Sequence, residues 1–175
     1  MINKTREWDW MDRTKQSKLD NTYIRMADVW GQLSHSNRAK VGALIVKDQM
    51  IISDGYNGTP TGFNNCCETN YTMDDGTESY ETKWEVLHAE ANAILKCAKH
   101  GTSLLGGTLY LTMSPCKNCA KLIFQAGITR VVYRDEYRDR EGVIFLQQAG
   151  IDISNIILNN LDKSQKSLIL VYNKK

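Results

Sequence analysis

Two prolines, three histidines, a net charge of only +2 and no apolar run near the roughly 18 residues of a membrane span are what this 175-residue sequence has little of. Each shortage excludes something. With 22 basic residues against 20 acidic ones, no strong field draws the chain to nucleic acid or anionic lipid, and a small ligand suits the balance better. The first stretch, MINKTREWDWMDRTK, is polar and lacks the apolar centre of a signal peptide, so the cytoplasm is the expected location. Five cysteines form an odd set in such a chain, so thiols are expected rather than disulfides. No linker, internal repeat or low-complexity tract interrupts the sequence.

What is present is ordinary for a folded protein: 42% hydrophobic and 24% charged residues, in a length that makes one domain over residues 1–175 the economical reading. Leu19, Tyr23, Met26, Ala27, Trp30 and Leu33 recur every three or four positions, which predicts an amphipathic helix from Lys18 to Ser34. VGALIVK (41–47) and MIISDGY (50–56) are β-branched runs separated by Asp48 and Gln49, a hairpin signal. Residues 66–83 are polar without a clear period and read as a long loop or excursion.

Helical spacing returns in LHAEANAILKCAKHG, with His88 and Glu90 at its start and Gly101 as its stop. GTLYLTM (107–113) reads as a strand. Ser114 as N-cap and Pro115 at the first helical position then predict a helix to about Ala126. TRVVYR, REGVIFLQQAG and either IDISNII or SLILVY (167–172) read as strand, helix and last strand. This alternation predicts an α/β chain with helices on both faces of a sheet.

The chemistry concentrates at two helix starts. Cys116 and Cys119 form a C-x-x-C, which alone is compatible with structural zinc, a redox pair, a catalytic metal site or burial. His88, at another helix start, supplies a third ligand, and a catalytic zinc takes three protein ligands and leaves one position open. Residues three apart share a helix face, and the positive end of the helix favours thiolate. Glu90, two residues beyond His88, is offset from the imidazole, which suits a neighbour that moves protons rather than a ligand. Cys97, midway along its helix, reads as core.

HAE followed by PCKNC matches the H-x-E…P-C-x-x-C signature of the zinc-dependent nucleobase deaminases. VGALIV, GYNGTPTG, HAEANAIL, SPCKNCAKLIFQAGI and VVYRDEY together resemble the deoxycytidylate (dCMP) deaminases, including those of bacterial viruses, over about residues 20–150. The resemblance implies a three-layer α/β/α cytidine-deaminase-like fold with a mixed, roughly five-stranded sheet. It implies Zn2+ on His88, Cys116 and Cys119, Glu90 as proton carrier, and conversion of dCMP to dUMP and ammonia for thymidylate supply. Asn57 matches the asparagine that such enzymes place on the sugar, and Arg38, Lys40, Tyr133, Arg134 and Tyr137 are phosphate candidates by location. It further implies a homo-oligomer, commonly a hexamer, activated by dCTP with Mg2+ and inhibited by dTTP, with Asn57, Gly58, Lys96 and Lys99 as effector contacts.

Some relatives bind a second, structural zinc near residues 66 and 67, for which His35, Cys66 and Cys67 are the candidates, although adjacent cysteines make a poor chelate. The competing functions are deamination of a free nucleoside or of tRNA adenosine, and a non-enzymatic zinc module. A tRNA substrate would call for a basic surface, and a purely structural site has no use for Glu90.

Overall fold

A computed structural model describes residues 5–156, with side chains from Lys15 onward. Its elements run α1 (Thr5–Gly31), β1 (Gly42–Lys47), β2 (Met50–Tyr56), β3 (Glu68–Thr72), β4 (Glu78–Thr82), α2 (Ala89–His100), β5 (Thr108–Met113), α3 (Lys117–Gln125), β6 (Arg130–Asp135), α4 (Glu141–Gln148) and β7 (Asp152–Asn155). Five strands form one mixed sheet in the order β2-β1-β5-β6-β7, antiparallel around β1 and parallel from β5 to β7. IDISNII supplies the last described strand, and SLILVY lies outside the described residues.

The layers follow from the period of two in the central strands. Ala43, Ile45, Leu109, Leu111, Val131 and Tyr133 point to one face, where they pack with Ala89 and Ala93 of α2, Ala120 and Ile123 of α3, and Val143 and Leu146 of α4. Leu44, Val46, Tyr110 and Val132 point to the other, against Tyr23, Ile24 and Ala27 of α1. The expected three-layer arrangement is therefore present. The β1–β2 turn runs through Asp48 and Gln49, both with positive φ (50° and 61°), the pairing that matches strand twist in a two-residue hairpin.

Three local expectations are corrected. The first helix begins at Thr5 and ends at Gly31 rather than spanning Lys18 to Ser34, because the residues before Lys18 lack an apolar stripe yet contain no helix breaker. Residues 66–83 are not a loop: β3 and β4 form a separate two-stranded antiparallel hairpin. Only Glu68 of β3 is buried and no residue of β4 is, so neither strand carries the apolar alternation that announces a sheet. Ser114 is not an N-cap. Cys116 caps α3 with extended backbone, while the Ser114 hydroxyl accepts from the Tyr137 N–H at 2.8 Å and the Ser114 N–H donates to Asp135 at 2.8 Å.

One polar cluster pins α1 to the sheet. Asp20, 5% exposed, accepts two bonds from the Arg130 guanidinium (both 2.8 Å), one from the Tyr110 hydroxyl (2.7 Å) and one from Gln16 (2.8 Å). Burial pushes the Asp20 carboxyl up, but the bonds from Arg130, Tyr110 and Gln16 together outweigh it and hold the group below its ordinary value. Because the folded value is depressed, this contribution is complete above the ordinary value of 3.8 and is lost as pH falls through the folded value. Asp20→Ala is expected to cost about 3 kcal/mol at pH 7 by urea unfolding, since it leaves the largely buried Arg130 guanidinium with the exposed Asp152 as its one remaining carboxylate among the described residues. The gap from wild type should close below pH 3.8; a gap constant with pH would show that the charge is not what matters.

Candidate active site

The site forms where two helix N-termini meet on the same face of the sheet. His88 is the N-cap residue of α2 and Cys116 that of α3, both in extended conformation, and Cys119 lies in the first turn of α3. Two glycines permit the close approach that sets their height. A Cβ at Gly55 on β2 would lie 2.2 Å from the Ala89 carbonyl, and one at Gly142 on α4 would lie 2.2 Å from the Pro115 carbonyl. The chain before His88 is tied down by paired backbone bonds between Gly58 and Leu87, at 3.1 and 2.9 Å.

His88 Nδ1 stands 3.5 Å from Cys116 Sγ and 3.4 Å from Cys119 Sγ, and the three atoms all lie within 4.8 Å of one another. Zinc–nitrogen and zinc–sulfur bonds of about 2.0 and 2.3 Å at a tetrahedral angle place nitrogen and sulfur about 3.5 Å apart. The trio fits zinc in both donor type and spacing. Among the described residues it is the one group of three such side chains close enough to share an ion.

The protonation pattern is that of a site poised for a cation. The Cys116 thiol is held down to about 3, chiefly by its hydrogen bond with Cys119, then by His88, against its burial. Cys119 is pushed above the ordinary thiol value by the same bond, by burial and by the Glu90 charge. His88 is raised by its bond to Cys116 and by Glu90 against the effect of its own burial. A dication at this point replaces the protons that the group otherwise shares, so metal uptake releases protons.

Glu90 is 4% exposed, and burial raises its carboxyl to about 7 even though the nearby His88 charge and the helix backbone pull the other way. It opens with His88 and Cys116 onto a pocket of about 540 Å³, in the range of small-molecule sites. Ser36, Arg38, Asn57, Thr82, Glu136, Tyr137 and Arg138 line the same pocket.

Of the phosphate and sugar candidates, Arg38, Asn57 and Tyr137 reach this pocket. Tyr133, Lys40 and Arg134 do not line it. Tyr133 is 3% exposed within the core and donates its hydroxyl to Glu136 at 3.2 Å. Lys40 reaches the Gln32 carbonyl, and Arg134 pairs with Asp28 (2.7 Å) and Asp135 (2.9 Å). The Asn57 amide accepts from the Val41 N–H at 2.9 Å and donates to the Ala39 carbonyl at 2.8 Å, so it braces the segment entering β1 while facing the cavity.

Of the effector candidates only Asn57 lines this pocket. Lys96 pairs with Asp54, Lys99 is exposed, and Gly58 is engaged with Leu87. Around the candidate second zinc, His35, Cys66 and Cys67 do not come within ligating distance as a group; Cys66 Sγ faces the Glu68 carbonyl and Cys67 Sγ the Asn65 carbonyl. The polar residues that sequence reading missed are Ser36, Glu81, Thr82, Glu136 and Arg138. They reach the pocket from segments with no shared motif, although YRDEYRDR, which carries Glu136 and Arg138, is conspicuously charged.

Comparison with known proteins decides the family. The family model for the cytidine and deoxycytidylate deaminase zinc-binding region matches residues 17–135. The chain belongs to the cytidine and deoxycytidylate deaminase family. This deaminase is 34% identical to the deoxycytidylate deaminase of Enterobacteria phage T4, over 82% of its length and 92% of the phage protein. It is 39% identical to the deoxycytidylate deaminase of Mycobacterium phage D29, over 67% and 94%. Its fold superposes on the dCMP deaminase of cyanophage S-TIM5, solved with dCMP and dUMP, with a TM-score of 0.71 and 43% identity over 79% of this chain and 97% of that one. The deaminase is thus an enzyme, and a non-enzymatic zinc module is set aside. None of its described helices is long and apolar enough to cross a membrane.

Proposed function

We propose that this deaminase converts dCMP to dUMP and ammonia, supplying dUMP for thymidylate synthesis. One observation carries the reading: His88 and Cys116 of the trio and the buried Glu90 open onto a single pocket that two arginines, Arg38 and Arg138, also line. Similarity to phage enzymes named for dCMP supports the choice of substrate.

His88, Cys116 and Cys119 would hold zinc, which when bound supplies the Lewis acid that brings water's pKa to about 7. Glu90 takes a proton from the attacking water as oxygen bonds to C4 of the cytosine, and passes it to ring N3. It then carries the second water proton to the exocyclic nitrogen as the C4–N bond breaks and ammonia leaves. Burial raises this carboxyl above its ordinary value, which favours return of the proton it has accepted. The Arg38 and Arg138 guanidiniums are planar forks that suit the phosphate. Arg138 lies over the Tyr137 ring, 5.7 Å from its centroid, and the bond from the Tyr137 N–H to Ser114 fixes that loop.

A homo-oligomer, with a hexamer favoured, fits the exposed apolar side chains Leu122, Phe124, Ile144 and Phe145 on α3 and α4. The cytoplasm of the cell that makes it, a host cell if the gene is viral, would keep its thiols reduced, and the described cysteines are all free. Regulation by dCTP and dTTP remains part of the proposal through the family resemblance, with Mg2+ accompanying the nucleotide.

Ammonia release from dCMP, cytidine, deoxycytidine and dCTP, each with and without added dCTP or dTTP, tests the reading. The expected result is the highest kcat/KM on dCMP. Preference for an unphosphorylated nucleoside would defeat the assignment, and identical rates with and without the triphosphates would remove regulation from it.

A further inference from the structure

We propose that Glu68, at the open end of the β3–β4 hairpin, is a positioning residue that aims Arg38 at the phosphate, so that the hairpin sets the preference for nucleotide over nucleoside. The inference rests on the reading of the pocket as a nucleotide site. Glu68 is the one buried residue of β3, at 5% exposure, and its side chain is a carboxylate rather than an apolar group packed on a core. Its Oε1 accepts from the Ser36 hydroxyl at 2.6 Å, the Asn37 N–H at 3.1 Å and the Arg38 N–H at 3.5 Å. All three donors belong to consecutive residues of the segment between α1 and β1, and both Ser36 and Arg38 line the pocket.

The same hairpin holds the far end of Arg38. Thr82, the ladder partner of Glu68 on β4, accepts from Arg38 Nη1 at 3.2 Å and lines the pocket as well. One rung of the hairpin therefore grips the Arg38 backbone through Glu68 and its guanidinium through Thr82. The rung is closed from below by the Lys83 N–H donating to the Cys67 carbonyl at 2.9 Å. A long arginine held at both ends meets an anion without having to freeze its rotamers on binding, which is the entropic part of recognition. Without Glu68, the two N–H groups and the Ser36 hydroxyl lose their common acceptor and the segment is free to turn Arg38 away.

The test is the ratio of kcat/KM for dCMP to that for deoxycytidine, measured in wild type, Glu68→Ala, Glu68→Gln and Thr82→Val, with zinc content and circular dichroism confirming the fold. Deoxycytidine has no phosphate for Arg38 to meet, so loss of a merely structural brace would lower both substrates alike. Expected is a fall in the ratio of about tenfold or more for Glu68→Ala, mainly through KM for dCMP, because misplacing a binding group by an ångström is costly. Glu68→Gln, which keeps an acceptor oxygen, should restore most of the ratio, and Thr82→Val should lower it by about threefold, the worth of one exposed hydrogen bond. Equal losses on both substrates, or an unchanged ratio, would overturn the inference. If Glu68→Ala does not fold, an unchanged ratio in Thr82→Val overturns it and a lowered one supports it. A wild-type ratio near one would instead remove the nucleotide reading itself, and this inference with it.

Discussion

Glu90→Gln is expected to lower kcat on dCMP by about a thousandfold, within the range that positioned acid–base groups contribute, while zinc content and urea stability stay at or above wild-type levels. Gln occupies the volume of Glu and keeps one acceptor oxygen, so the helix start that seats His88 is undisturbed. What it cannot do is exchange a proton. Burial raises the Glu90 carboxyl above its ordinary value, and its place beside the trio lets one carboxyl serve as base toward water and acid toward the departing nitrogen. Stability does not fall, because burying a neutral amide costs less than burying a carboxylate. Ammonia release alongside metal analysis separates the outcomes. A variant that keeps more than about a tenth of wild-type turnover would show that another group, or solvent, carries the proton.

Cys119→Ala is expected to weaken zinc binding by more than about 100-fold, since loss of a mere outer partner of a ligand can already cost that much. Deamination should fall below detection in step. Cys119 is 3% exposed and joins the trio from the first turn of α3, so its removal leaves His88 Nδ1 and Cys116 Sγ as an incomplete pair with space where the second sulfur stood. Cys97→Ala is the control. That thiol is equally buried, at 2% exposed, but faces the Ile52 carbonyl on β2, away from the trio. It should keep its full complement of metal and activity. Competition with a chromogenic chelator measures both affinities, and equal affinity of Cys119→Ala and wild type would remove Cys119 from the ligand set. Lowering the pH should release the metal, because protons compete for the same sulfurs and imidazole.

That His88, Cys116 and Cys119 gather near Glu90 was legible in the sequence because the geometry of each half is local. A histidine two residues before a glutamate, and two cysteines three apart, each at a helix start, fix direction and spacing within one turn. The layers were legible for a similar reason, since β1, β5 and β6 are apolar on both faces and the amphipathic helices cover them. The hairpin was not. Its strands bury no residue but Glu68, so they carry no hydrophobic period, and their pairing follows from the turn around Asp75 and Gly76 and from ladder bonds that a sequence pattern does not display. Ser114 misled for the opposite reason. Ser-Pro before a helix is a valid local signal, but the Tyr137 N–H, 23 residues away, competes for the hydroxyl and wins it.

Residue order alone determined that this chain gathers one imidazole and two thiols beside a carboxyl, because each half of that set is written into a single helical turn. Which arginine reaches the pocket, and which of several tyrosines and lysines does not line it, was decided by tertiary structure. Arg38, Thr82, Glu136 and Arg138 reach one cavity from two connections and the end of β4, and their meeting depends on sheet order and on where each segment is tied. Long charged side chains have no period to read, and only the backbone bonds that hold their loops say where they point.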